Sequence, residues 1–415
     1  MQLRNNASRV NHTTRSNTCP NCCMPIYAPQ ATKSLEDDVQ TPQKECEGFE
    51  STYFSRQRPL PTKCPVCKNP IAYPQLNENQ SAVLLGRLSG ISKPSMNSKV
   101  LNLQALNLNE NLLTDESLEC ISTRILPVSR GLLKLDLKGN QFTADGVKVL
   151  AHHLPPTNIT HLNLSGIKLT DSGLQPLARC LNLTSLRSLI LADNLITQSG
   201  IGSLAPYLPD TRIAVLDLGC NQGIRDQGLA GLSAVLSRTC ISELILAECD
   251  FGFQGLQALT KVLRKSRISH LKISRNRRIG DNGIKYLSEY GLKNCEQLTQ
   301  LHIRAVNALD AGCCALASVL ASPRCSLRVL DMRDNGITNK GAFALNGVGF
   351  GLLETVKLGE NDITDRGVEA LASAFVRSRV VELSLEDNKF SDVGVDALVM
   401  AFEQARRGRM VKITW

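Results

Sequence analysis

The sequence predicts an α/β solenoid, with a parallel sheet lining the inside of a curved array and helices covering its outside. Three observations lead there. A strand-like L-x-x-L-x-L-x-x-N frame recurs every 26 to 30 residues over the last three quarters of the chain. A helix-period apolar run follows each frame, so every unit reads strand, turn, helix. The 415 residues are 42% apolar but only 4% aromatic, which suits Leu and small residues packing stacked, similar units rather than one large core.

The strand comes first in each unit. The frame is clearest at Leu186, Leu189, Leu191 and Asn194. Its second apolar position falls at Leu106, Leu135, Leu162, Leu189, Leu216, Leu244, Leu271, Leu301, Leu330, Val356 and Leu383, which makes eleven units; Met410 to Ile413 reads as a closing strand. Alternating Leu turns one face of a short strand inward. The Asn that follows can bond backbone where the chain turns. It stands at 111, 140, 194, 221, 276, 335, 361 and 388, and is replaced by Ile167, Cys249 and Val306 in three units.

The turn carries a second element, as in Ile196, Thr197 and Gly200, or Ile337, Thr338 and Gly341, or Ile363, Thr364 and Gly367. The Thr is placed to cap the next helix and the Gly to allow close approach at its start. The helix then shows its apolar stripe, for example Val368, Leu371, Ala372 and Phe375. One unit alone cannot bury its strand and helix faces; stacked units share a continuous core. A period near 28 residues, with the Asn and the I-T-x-x-G element, resembles the ribonuclease-inhibitor-like leucine-rich repeats from Leu101 to Trp415. The resemblance implies a horseshoe that holds other proteins rather than an enzyme.

Strand residues beside the inward Leu face the hollow of that horseshoe. They set out a basic belt at His270, Lys272, Arg275, His302 and Arg304. Acidic positions flank it at Asp217, Glu243, Glu248, Glu382 and Glu386. Such a face suits a protein partner with complementary charge, or serves as a solvated sheet surface. His270 and His302 fall on neighbouring units, but only Ser274 stands near them as a nucleophile and no three-part relay is evident.

The first hundred residues differ in kind. Met1 to Pro74 contains six Cys and nine Pro without a helix or strand period. Cys19 and Cys22, with Cys64 and Cys67, form two C-x-x-C pairs, a spacing that lets two thiolates face one tetrahedral ion. Four thiolates select zinc, and one zinc ion would close a segment too small for its own core. The flanks C-P-N-C-C-M-P-I and C-P-V-C-K-N-P-I resemble the outer ligand pairs of a RING finger, but the middle ligand set is absent. Glu78 to Leu88 reads as an amphipathic helix capping the solenoid. The chain thus divides into a flexible tail (1–17), a Cys-rich zinc module (18–75), a linker and solenoid cap (76–100) and the repeat domain (101–415).

Composition narrows the classes further. A net charge of +9 spread over this length, with few aromatics, does not describe an independent nucleic-acid binder. Fifteen Cys, an odd count, argue against a secreted disulfide framework, and no apolar run is long enough for a membrane span. The start lacks Asp and Glu through Leu35, leaving mitochondrial import open beside a cytoplasmic, nuclear, cytoskeletal or ciliary place. The leading expectation is a non-enzymatic scaffold within a multi-subunit assembly. The alternatives are a RING-like ubiquitin-ligase adaptor, a small-GTPase regulator resembling the Ran GTPase-activating proteins, and a ribonucleoprotein component. The resemblance to the second lacks its long acidic tail.

Overall fold

The computed structural model describes residues 103–405 and 410–415. The expected tail, zinc module with Cys19, Cys22, Cys64 and Cys67, and capping helix at 78–88 lie outside the described residues. Within them, twelve short strands form one parallel sheet in strict chain order. They are β1 (Ala105–Asn107), β2 (Lys134–Asp136), β3 (His161–Asn163), β4 (Ser188–Ile190), β5 (Val215–Asp217), β6 (Glu243–Ile245), β7 (His270–Lys272), β8 (Gln300–His302), β9 (Val329–Asp331), β10 (Thr355–Lys357), β11 (Glu382–Ser384) and β12 (Lys412–Thr414). The central residue of each strand pairs with the central residue of the next, from Leu106 through to Ile413. The periodic ruler of the sequence is therefore the register of the sheet.

Each of the first eleven strands is followed by an outer helix: α1 (Asp115–Cys120), α2 (Ala144–His153), α3 (Asp171–Cys180), α4 (Gln198–Leu204), α5 (Arg225–Leu236), α6 (Phe253–Leu263), α7 (Gly280–Tyr286), α8 (Leu309–Leu320), α9 (Asn339–Val348), α10 (Asp365–Arg377) and α11 (Asp392–Ala405). The core lies between sheet and helices and runs the length of the array as one cluster, from Leu108 to Ile413. Leu and Ile fill it. Phe251, Phe350 and Phe375 are its largest fully buried side chains.

The turn after each strand is the most regular device in the molecule. The residue just before the Asn position has a left-handed backbone in all eleven units, from Glu110 (φ 54°) to Asp387 (φ 57°). Only Gly139 and Gly166 among them are glycine, so nine units hold an L side chain where it costs on the order of 1 kcal/mol. The compensation is visible. The left-handed N–H donates to the next unit, as Cys220 does to Ala247 at 2.7 Å and Arg275 to Arg304 at 2.7 Å.

The Asn side chains form a buried ladder beneath these turns. Asn221 Nδ2 donates to Leu191 and Leu218 carbonyls at 3.0 and 2.9 Å, and its Oδ1 accepts from the Ile196 N–H at 3.1 Å. Asn140, Asn194, Asn335 and Asn361 repeat the arrangement. Cys249 occupies the same place and keeps part of it, with its thiol donating to the Leu218 carbonyl at 3.2 Å. Burial pushes that thiol up to about 12, so it stays protonated and a donor. Ile167 and Val306 leave gaps in the ladder, filled by apolar burial.

Helix capping differs from the sequence expectation in an informative way. Thr197 and Thr338 do accept from the N–H two residues on. Thr170 and Thr364 make no such cap. The more constant cap comes from the preceding unit. Asp171, in the first turn of α3, accepts from Thr197 N–H and Oγ1 at 2.8 and 2.6 Å. Asp226 does the same for Gly252 and Gly255, and Asp310 for Thr338 and Gly341. The Gly of the I-T-x-x-G element makes room for this carboxylate: a Cβ on Gly255 would stand 2.9 Å from Asp226 Oδ1.

Candidate interaction face

The concave face is built from the first and third residues of each strand. The middle residue points into the core, so the two beside it project into the hollow, half buried by their neighbours; β5, β6, β7 and β8 all show this pattern. In-register pairing then sets side chains of consecutive units shoulder to shoulder. One row reads Ile190, Asp217, Ile245, Lys272, His302, Asp331 and Lys357.

The basic belt of the sequence is present, and it is neutralised from within. Lys272 pairs with Glu243 at 2.7 Å, Arg275 with Glu248 at 3.6 Å and Arg304 with Glu360 at 2.5 Å. His302 Nδ1 lies 3.6 Å from Asp331, which also takes Arg333 at 2.8 Å. His270 instead meets the Ser269 hydroxyl through Nδ1 at 2.9 Å. Arg277 reaches Asp334 at 3.4 Å, and Arg278 lies 3.5 Å from both Asp226 and Asp250. The sequence reading separated belt and acidic flanks as two patches. The fold interleaves them, because neighbouring units bring opposite charges within reach of each other.

The acidic positions divide by environment. Glu243 and Glu248 are the partners just named. Glu382 pairs with Lys412 at 3.5 Å. Glu386 accepts from Ser384 Oγ and from Thr414 Oγ1; burial would raise its carboxyl, but those hydrogen bonds and Arg333 hold it below the ordinary range. Asp217 sits between Ile190 and Ile245 on the flanking strands. Burial raises its carboxyl, against the Gly219 N–H at 2.9 Å and the more distant Lys272 charge.

Asp331 is the centre that sequence reasoning passed over as a site. It is 3% exposed. Burial alone would raise its carboxyl, but the hydrogen bonds from His302 and Arg333 and the Arg333 charge hold it well below the usual carboxylate range. A signal was available: His302 and Asp331 each follow the ruler residue of adjacent units, so they must be cross-strand neighbours. The Arg304–Glu360 contact spans two units and had no such signal.

Chemically, this face offers fixed, paired charges. His302 Nε2 and Arg304 Nε are buried without a hydrogen-bond partner among the described residues. The Ser274 hydroxyl, the nucleophile candidate, instead accepts the Arg304 N–H at 3.2 Å. No group of three or more His, Cys, Asp or Glu able to hold a metal occurs among the described residues. No helix among them is long and apolar enough to cross a membrane.

The repeat pattern agrees with a known family model. Seven stretches match the leucine-rich repeat model, at residues 129–151, 156–178, 214–233, 268–288, 325–345, 352–372 and 380–399. These fall on units two, three, five, seven, nine, ten and eleven. Ribonuclease inhibitor from Sus scrofa is 32% identical over 173 residues, 40% of this chain and 37% of that protein. Its Mus musculus counterpart is 31% identical over 170 residues, with the same shares. The chain thus spans 37% of the length of these two relatives. Among solved structures, a chain of the yeast Rad7 and Elc1 complex is 15% identical over 81% of this chain and 83% of its own, with a TM-score of 0.44.

Proposed function

We propose that this leucine-rich-repeat solenoid is a non-enzymatic scaffold that grips a partner protein on its concave sheet. The observation behind this reading is the ion-pair lattice across the concave strands from Glu243 to Glu382, which holds long charged side chains in place before any partner arrives. Preorganised side chains lose less entropy on binding, and a neutralised lattice favours a partner that matches its alternation over any highly charged polymer. The two ribonuclease inhibitors are by name proteins that act on another protein, which supports holding as the role. In this reading the scaffold works inside the cell as part of a larger assembly. Its amino-terminal pairs Cys19 and Cys22, and Cys64 and Cys67, hold one zinc ion as a second contact module.

The test is affinity purification with mass spectrometry from the native cells, using the intact chain, a Lys272→Glu/Arg304→Glu variant and a Cys64→Ser/Cys67→Ser variant, with zinc measured in each. One stable assembly that the concave variant loses, and one zinc per intact chain, is the expected result. An assembly indifferent to the concave variant would move the grip elsewhere. Two zinc ions with ubiquitin-conjugating enzymes in the eluate would replace the scaffold by a ligase adaptor.

A further inference from the structure

The outer surface carries a groove that the concave reading does not use. Unit seven is among the longest: 30 residues separate Leu271 from Leu301, against 27 in most interior units. The extra length is absorbed where α7 ends, by a widened helical turn over Leu287–Leu292. Such turns are uncommon and occur frequently at functional sites. This one carries Tyr290 outward, 56% exposed, while Leu287 and Leu292 stay in the core.

Tyr290 packs on Tyr286 with the rings tilted by 35° and their centroids 4.6 Å apart, and Tyr286 meets Phe253 edge-on at 5.7 Å. In a chain with 4% aromatic residues, three in contact along the seam between two outer helices form an exposed ledge. At its end lies a groove of ≈ 460 Å³ between the end of α6 and the turn after α7. Lys261, Arg264 and Lys265 line one side, with Tyr290 and Asn294 on the other, and Glu296 is the one acid lining it. Unlike most cations of the concave belt, these three have no ion-pair partner within 4 Å among the described residues. Gln297 is held to the Leu263 carbonyl at 2.8 Å, which fixes the groove's wall.

We infer that this groove docks an acidic peptide segment of a partner protein, its carboxylates meeting Lys261, Arg264 and Lys265 and an apolar side chain lying on the Tyr290 ledge. Charge complementarity selects the occupant: three cations against one acid, unpaired among the described residues, beside an aromatic surface. None of the residues lining the groove belongs to the concave lattice, so either reading can fail alone.

The experiment measures fluorescence anisotropy of a short labelled peptide of alternating glutamate and aspartate around one phenylalanine, titrated with the full chain. Expected is saturable binding that weakens with salt. Arg264→Glu/Lys265→Glu should weaken it by at least about tenfold. Tyr290→Ala should weaken it severalfold, while Lys340→Glu/Arg366→Glu on other outer helices leaves it unchanged. All five positions are exposed, and thermal melts confirm folding. Binding that is absent, or lost equally in the control variant, overturns the site. So does indifference to the groove variants accompanied by a lowered melting temperature in Arg264→Glu/Lys265→Glu, which assigns the cations to the carbonyl end of α6. A labelled oligothymidylate that binds as tightly, with the same dependence on Tyr290, overturns the peptide in favour of nucleic acid.

Discussion

Two aspartates on one sheet face show how position decides what a residue does. Asp331 and Asp217 occupy the same row, four strands apart. Asp331 gains His302 and Arg333, and its folded carboxyl lies below the unfolded value. Its contribution is therefore fully present above about pH 4 and is lost as pH falls through the lowered folded value. Asp217 has Ile190 and Ile245 beside it, and burial places its folded carboxyl above the unfolded value. Its ionised form opposes folding, an effect absent in acid that grows as pH rises past about 4. In urea unfolding at pH 7, Asp331→Asn should therefore cost about 2 kcal/mol, the worth of hydrogen bonds to a buried charge, and the deficit should shrink below pH 4. Asp217→Asn, which keeps the acceptor for the Gly219 N–H, should hold or raise stability at pH 7. The opposite ordering at pH 7 would mean that the two environments have been assigned the wrong way round.

At the scale of the element, the unit of structure is the joint between one helix and the next. A carboxylate in the first turn of a helix caps the following helix and occupies the space that glycine leaves open. Asp171, Thr197 and Gly200 form one such joint, with the Asp171 carboxylate pressed against the Gly200 position. Asp171→Ala should cost about 1 kcal/mol, the usual worth of a cap. Gly200→Ala should cost more, because the added Cβ displaces the carboxylate and meets Ile196 as well. In the Asp171→Ala background the penalty of Gly200→Ala should fall, since the group it collides with is gone. Additive penalties in that double-mutant cycle would show the two residues to be independent. The I-T-x-x-G element was legible in the sequence as a cap with a close approach. Its partner across the repeat was not, because nothing local marks an aspartate as belonging to the next helix.

At the scale of the whole molecule, each unit contacts its sequence neighbours and the core runs through them all. Stability in such arrays is a sum of local units and nearest-neighbour interfaces. Removing 410–415 would strip β12 from β11 and uncover the edge of Leu383. Amide exchange should then accelerate in unit eleven and fade toward protection by unit nine, leaving the centre unchanged. A uniform loss of protection along the array would instead mark a single cooperative block.

What the sequence determined by itself was everything periodic: eleven units and a closing strand, an inward ruler residue per strand, the Asn position and its three exceptions, and the list of side chains facing the hollow. Periodicity suffices there because each unit meets its neighbours in the same way, so position in the frame fixes direction in space. The tertiary structure decided what is not periodic. It paired belt with flank, because Arg304 reaches Glu360 across two units and Lys272 meets Glu243 only when their strands lie in register. It turned the extra residues of unit seven into an outward Tyr290 and a groove, since a surplus in length shows in sequence as a number but takes its direction only from the helices packed around it. Charge compensation and surface shape depend on distances between units, and those distances exist only once the units have stacked.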